Sequence, residues 1–340
     1  MVAASACGRI GFNFVGPTGD ALAGDGIGSD GPFGDGPPAV SCGTLAPTCG
    51  PTGTSPCCES PVVTGSMFSR SYDVSGDGMY PDPSYTATVS TFRLDKYEAT
   101  VGRFRQFVLA GQGTQASPPV TGAGARTLNG SANQGGWDAM WNGNLNTDQA
   151  ALTAALKCTA TYQTWTDTPG GNENRPMNCI TWYEAMAFCI WDGGFLPTEA
   201  EWNYAAAGGA EQRAYPWSSP PAFLGIDDTR ASYYSTDCLG DGMAGCALTD
   251  LVPVGSKPAG DGLWGQSDLG GNVWEWVLDW HASPYANPCT DCANLTPASF
   301  RVVRGGGFFY SASVLRGAIR GLVTPTDRVD LVGARCGRTP

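Results

Sequence analysis

At 340 residues the chain is long enough for one large domain or two small ones. Only 15% of the residues are charged, and 48 glycines with 25 prolines predict many turns, much irregular structure and modest helix content. A net charge of −12 without a basic stripe argues against a nucleic-acid partner, and no apolar run approaches the ~18 residues of a membrane span.

In chain order, "MVAASACGRIGF" places Ala-Ser-Ala directly before Cys7, like the end of a lipoprotein signal whose basic and apolar parts are missing. Residues 1–7 are read as a remnant of such a signal with Cys7 as the lipid acceptor; a chance run of small residues is the alternative. Residues 8–60 form a Gly/Pro-rich arm and then a cysteine-rich knot, "CGTLAPTCGPTGTSPCC". The spacing leaves the pairing of Cys42, Cys49, Cys57 and Cys58 open. Residues 61–340 read as one globular unit.

Within that unit "TATVSTFRLDKYEAT" predicts a strand running toward a helix, with Thr100 as N-cap and Val101, Phe104, Phe107 and Val108 at helical spacing. Residues 111–175 predict irregular chain with a short helix near "DQAALTAAL". Two capping boxes follow: Thr181 with Glu184, stopped by Gly193-Gly194, and Thr198 with Glu201, stopped by Gly208-Gly209. Beyond residue 210 the pattern is short strands and long loops. In "LGGNVWEWVLDW" an extended chain turns Val273, Glu275 and Val277 to one face and Trp274, Trp276 and Leu278 to the other. Both faces read as buried, so Glu275 needs an arginine, a shared proton or a metal ion beside it.

The 13 cysteines leave twelve once Cys7 is set aside, enough for six disulfides. Scattered in this way they indicate an oxidising compartment, hence export. Cys158–Cys179, Cys238–Cys246 and Cys289–Cys292 are expected pairs by proximity in sequence. The last is a C-x-x-C in a polar loop, read as a staple, with redox chemistry as the alternative.

"DKYEATVGRFRQFV", "PMNCITWYEAMAFCIWDGGFLPTEAEWNYAAAGG", "YPW", "GGNVWEWVLDW", "RVVRGGGF" and "VGARC" occur in the order found in the formylglycine-generating enzyme (sulfatase-modifying factor) family. The resemblance covers residues 61 to 336. It implies an α+β fold, the formylglycine-generating-enzyme variant of the C-type lectin fold, largely irregular with few helices and small antiparallel sheets. It also implies a structural calcium held by the carboxylates of Asp268 and Glu275 and the carbonyls of Gly271 and Val273, an oxygen set calcium prefers. A salt bridge from Glu275, for instance to Arg304, is the alternative. Asp241 is a partial match to a second calcium site. Cys189 and Cys336 match a disulfide of the family, while a second family bond would fall near Ala206 and Gly317, where both cysteines are missing.

The enzymes of the family carry two copper-binding cysteines shortly after the Arg-Gly-Gly turn. From Arg304 to Arg335 this chain has no cysteine, and Tyr310 and Leu315 cannot replace soft thiolate ligands. Related sulfoxide synthases use a histidine cluster, and His281 is the only histidine here. Neither copper nor iron is therefore expected. The fold also serves as a binding scaffold in retroelement-diversified variable proteins, whose ligand surface corresponds to Phe308, Phe309, Tyr310, Ser311, Ser313, Val314 and Arg316. Phe308 and Val314 could equally pack the core. Arg304, Arg320 and Arg335 are expected to hold the scaffold through buried carboxylates. The resulting expectation is an exported, surface-anchored, non-catalytic binding or assembly protein, stabilised by calcium, with a protein or glycan ligand and membrane contact only through a lipid. A structural subunit of an envelope or filament and an oxidoreductase of non-family chemistry are the alternatives.

Overall fold

Each expected helix forms where its cap sits. In the computed structural model, which describes residues 39–76 and 80–340, α1 (Val101–Leu109) begins at Thr100, whose hydroxyl accepts from Arg103 N. Asp148 caps α2 (Gln149–Ala155). Complete capping boxes open α3 (Trp182–Trp191) and α4 (Glu199–Ala206). Gly208, left-handed at φ 62°, follows α4 where a side chain would be strained. Every residue of α3 from Trp182 to Cys189 is buried, so this helix lies in the interior, its one charged side chain, Glu184, being paired with Arg328.

The central sheet runs in the order Gly321–Val323, Arg301–Arg304, Trp274–Trp280, Val332–Gly333. Its first two pairings are antiparallel and the last is parallel. A second parallel pairing joins Thr86–Thr88 to Cys289–Thr290, so the small, otherwise antiparallel sheets to which these two pairings belong are mixed. The expected alternation holds along Trp274–Trp280. Trp274, Trp276 and Leu278 enter the core formed with α1 and α3, while Val277 enters the core formed with α4.

One expected strand is instead two. "TATVSTFRL" divides into Thr86–Thr88 and Phe92–Leu94, which belong to different sheets. The break falls at Ser90, whose amide and hydroxyl both donate to the Asp291 carboxylate, at 2.6 and 2.7 Å.

Residues 39–60 are tied to the body. Cys42–Cys58 and Cys49–Cys57 settle the pairing left open by spacing. Ser41 N donates to Asp192 at 2.6 Å, and Arg103 reaches Ser41 Oγ at 3.0 Å. Beneath lies a buried quartet in which Arg103 and Arg338 each contact both Asp95 and Asp192, two charges of each sign. Cys7 and the arm up to residue 38 lie outside the described residues.

Candidate functional site

Glu275 has a guanidinium partner. Arg335 Nη2 donates to Oε1 at 2.6 Å and Arg335 Nε to Oε2 at 2.7 Å, with both side chains fully buried. Trp202 of α4 adds a third donor at 2.7 Å. The partner is not Arg304, the example raised from sequence. Arg304 stands directly opposite Glu275 across the strands, but its guanidinium turns to Glu199 at 2.6 Å. The expected role of Arg304, Arg320 and Arg335 as scaffold cations paired to buried carboxylates is what the structure contains.

The rest of the expected calcium loop lies beside this pair. Asp268 is buried, accepts from Gly255 N at 2.6 Å, and is pushed by burial up to about 6. Asp268 and Asn272 both adopt φ 60°, a costly conformation outside glycine that turns the backbone sharply here. Glu98, which sequence reading passed over, belongs to the same cluster. It accepts from Asn272 Nδ2 at 2.7 Å, and burial together with the charges of Asp268 and Glu275 holds it well above the usual carboxylate range. Its signal was an acidic residue in "DKYEAT" between positions that are both buried.

Three carboxylates thus share one guanidinium, leaving two negative charges unmatched when all are ionised. Asn272 Oδ1 and both side-chain polar atoms of Gln266 are buried without a hydrogen-bond partner. Charge excess and orphaned oxygens both fit a divalent cation. Among the described residues no three Asp, Glu, His or Cys side chains converge as a ready-made metal site, so a calcium here depends on backbone carbonyls. Asp241 is exposed and spends its oxygens on its own loop, accepting from Thr249 Oγ1 and Met243 N.

The segment after Arg304-Gly305-Gly306 divides between core and surface. Phe308 is fully buried, and Arg316 is buried against Asp73 at 2.8 Å, which takes both off the surface assigned to them from sequence. Leu315 is fully buried among Tyr215, Trp217, Ala231 and Tyr233. The Tyr310 ring packs edge-on against Trp274 at 5.5 Å. Phe309 and Ser311 are exposed, and Tyr310, Ser313 and Val314 are half-buried. Sequence reading missed two more members of this patch. Phe309 lies 6.0 Å from Tyr162 and 6.2 Å from Tyr234, and Tyr234 forms a β-bridge with Ser311. Both tyrosines sit on loops next to disulfides, Cys158–Cys179 and Cys238–Cys246.

All twelve described cysteines are oxidised; the remaining bonds are Cys189–Cys336 and Cys289–Cys292. A Cβ placed on Gly317 would lie 3.5 Å from that of Ala206, the separation a disulfide needs. The second bond implied by the resemblance therefore has its Cβ spacing here without its cysteines.

A second buried charge centre gathers at the start of α4. Burial alone would raise Glu199, but Arg320 and Arg304 hold it down to about 2. Tyr285 adds its hydroxyl at 3.1 Å. Asp279 accepts from Glu199 N at 2.7 Å, and burial and then the Glu199 charge push it up to about 7. His281 is half-buried near this centre, and burial lowers its pKa.

Comparison with known proteins agrees with this frame. Residues 51–340 match the sulfatase-modifying factor enzyme 1-like domain. The formylglycine-generating enzyme of Streptomyces coelicolor is 28% identical over 291 residues, covering 80% of this chain and 84% of that protein. The inactive C-alpha-formylglycine-generating enzyme 2 of Bos taurus is 33% identical over 169 residues, 48% of this chain and 52% of that protein. The structure of PvdO from Pseudomonas aeruginosa superposes with a TM-score of 0.56 at 20% identity, covering 82% of this chain and 93% of that one. With its Arg-Gly-Gly turn, its paired arginines and the Cys189–Cys336 bond in this frame, the chain belongs to the sulfatase-modifying factor (formylglycine-generating enzyme) domain family.

Proposed function

We propose that this chain is an exported binding or assembly protein on a formylglycine-generating-enzyme-like scaffold, and does not itself generate formylglycine. One observation carries the reading. From Arg304 to Arg335, the segment in which the resemblance implies a copper-binding cysteine pair, there is no cysteine, and every described cysteine is locked in a disulfide. Copper(I) chemistry of the family type needs thiolates at that place. Leu315, closed into a hydrophobic cluster, offers no ligand atom at all.

Six disulfides support export into an oxidising compartment. No described helix is long and apolar enough to cross a membrane, and a lipid on Cys7 would supply the anchor. Phe309, Tyr310, Ser311, Ser313 and Val314, with Tyr162 and Tyr234, form the surface for a protein or glycan partner. Aromatic side chains on stapled loops lose little freedom on binding, which suits recognition.

The test supplies purified protein with copper(I) and a cysteine peptide carrying a sulfatase recognition motif, beside an active family enzyme. No formylglycine above a protein-free control is expected, by mass spectrometry of the peptide. Conversion at even a hundredth of the enzyme's rate would sink the proposal.

The same reading includes a structural calcium at Asp268 and the carbonyls of Gly271 and Val273, with Glu98 adding charge and Glu275 shared with Arg335. Calcium at a hundredfold excess over its Kd then stabilises the fold by about 2.7 kcal/mol. Melting curves with calcium and with chelator measure this. A Tm that does not differ between them would rule calcium out.

A further inference from the structure

Cys289 and Cys292 are only three residues apart, so of the six bonds theirs constrains the unfolded chain least. The loop around them is held by other means. Cys289 and Thr290 pair with Ala87 and Thr88. Asp291 N donates to Thr88 O at 2.9 Å, its carbonyl accepts from Asn129 N at 3.0 Å, and its carboxylate accepts from Ser90. Opening the bond would leave all of these contacts in place.

The two sulfurs sit in different surroundings. Cys289 is buried and Cys292 is half-buried. Arg70 Nη1 lies 3.4 Å from Cys292 Sγ. Arg70 is itself buried, and its other acceptors are neutral: Tyr85 O at 3.3 Å, Ala286 O at 2.7 Å and Asn287 Oδ1 at 2.9 Å. Its guanidinium also covers the Tyr285 ring at 4.5 Å. Glu199, Asp279 and Arg320 act on it from farther away, and no described carboxylate forms an ion pair with it. A guanidinium keeps its charge at any ordinary pH, and burying it without an anion is costly.

We propose that Cys289–Cys292 is an exchangeable disulfide that oxidises dithiols, and that the Cys292 thiolate is the anion Arg70 is placed to hold. A thiolate of an incoming dithiol attacks the more accessible sulfur, Cys292 Sγ. The Cys289–Cys292 bond breaks, and Cys289 leaves with the electron pair and takes the proton of the dithiol's second thiol. That second sulfur, now a thiolate, attacks the substrate sulfur of the mixed disulfide and releases Cys292 as a thiolate beside Arg70. The dithiol loses two electrons and becomes a disulfide, and the protein pair gains two. One proton ends on Cys289 and the other in solvent. An external disulfide restores the oxidised pair. A thiolate held by a cation is a good leaving group, which favours the last step.

The test is a redox titration of the whole protein in mixtures of reduced and oxidised dithiothreitol, with alkylation and peptide mapping by mass spectrometry. Cys289 and Cys292 are expected to become alkylated while the other five bonds stay closed and the circular dichroism is unchanged. After reduction, Cys292 reacts with iodoacetamide well below pH 8. In Arg70→Gln its rate at pH 6 falls roughly tenfold, as a one-unit rise in thiol pKa requires, and Arg70→Lys restores most of the rate. Opening of this bond only together with the others overturns the proposal, as does a pH profile that Arg70→Gln leaves unmoved. The titration needs no variant, so it decides even where Arg70→Gln fails to fold.

Discussion

Replacing Arg335 with methionine is expected to destabilise the protein by about 3–5 kcal/mol, the usual cost of stranding one member of a buried ion pair. Arg335 is fully buried and makes five hydrogen bonds: two to Glu275 and one each to the carbonyls of Asp95, Lys96 and Ser267. Those carbonyls bring the start of the "DKYEAT" segment and the Ser267 loop onto the final strand segment. Without the guanidinium, Glu275 would face Glu98 and Asp268 with no side-chain cation in contact, so the cost exceeds that of the lost hydrogen bonds. Glu275→Leu combined with Arg335→Met removes the stranded charge and should recover part of the loss, though the carbonyls of Asp95 and Ser267 lose their guanidinium donor while that of Lys96 keeps Ser267 N at 2.9 Å. Urea unfolding of both single variants and the double variant measures this as a coupling energy. Arg335→Met within 1 kcal/mol of the parent would mean that the cluster is neutral in the folded protein and that the pair does not organise it.

How far this centre was legible follows from the range of each interaction. Thr181 with Glu184 and Thr198 with Glu201 act over three residues, so α3 and α4 could be placed from sequence. The inward face of Glu275 followed from a period of two along one strand. Its partner lies 60 residues away, and nothing local distinguishes Arg335 from Arg304, which even stands opposite Glu275 in register. Glu98 joins from 174 residues before Asn272, beyond the reach of any pattern. The aromatic patch divided in the same way. Phe309 was found because it follows the Arg-Gly-Gly turn, whereas Tyr162 and Tyr234 arrive on separate loops that only folding brings beside it. Phe308 and Phe309 are adjacent and chemically identical, yet one is core and the other surface: both lie in a turn closed by Tyr310 N on Gly307 O at 2.9 Å, which no strand or helix period describes.

Removing the Cys189–Cys336 bond by Cys189→Ala and Cys336→Ala together is expected to cost about 5 kcal/mol, from the chain-entropy relation for a separation of 147 residues. The same relation gives about 1.5 kcal/mol for Cys289–Cys292, only three residues apart. The long bond joins the buried end of α3 to the segment that carries Arg335 and Arg338. Among the described disulfides it is the one that links the middle of the sequence to its end. Both cysteines are fully buried, so two alanines also leave a small void, which adds to the loss. Thermal or urea unfolding of the two double variants compares the bonds directly. If loop closure governs their contributions, the first loses several times more stability than the second. Equal losses would mean that local packing around each bond, rather than the length of chain it closes, sets its value.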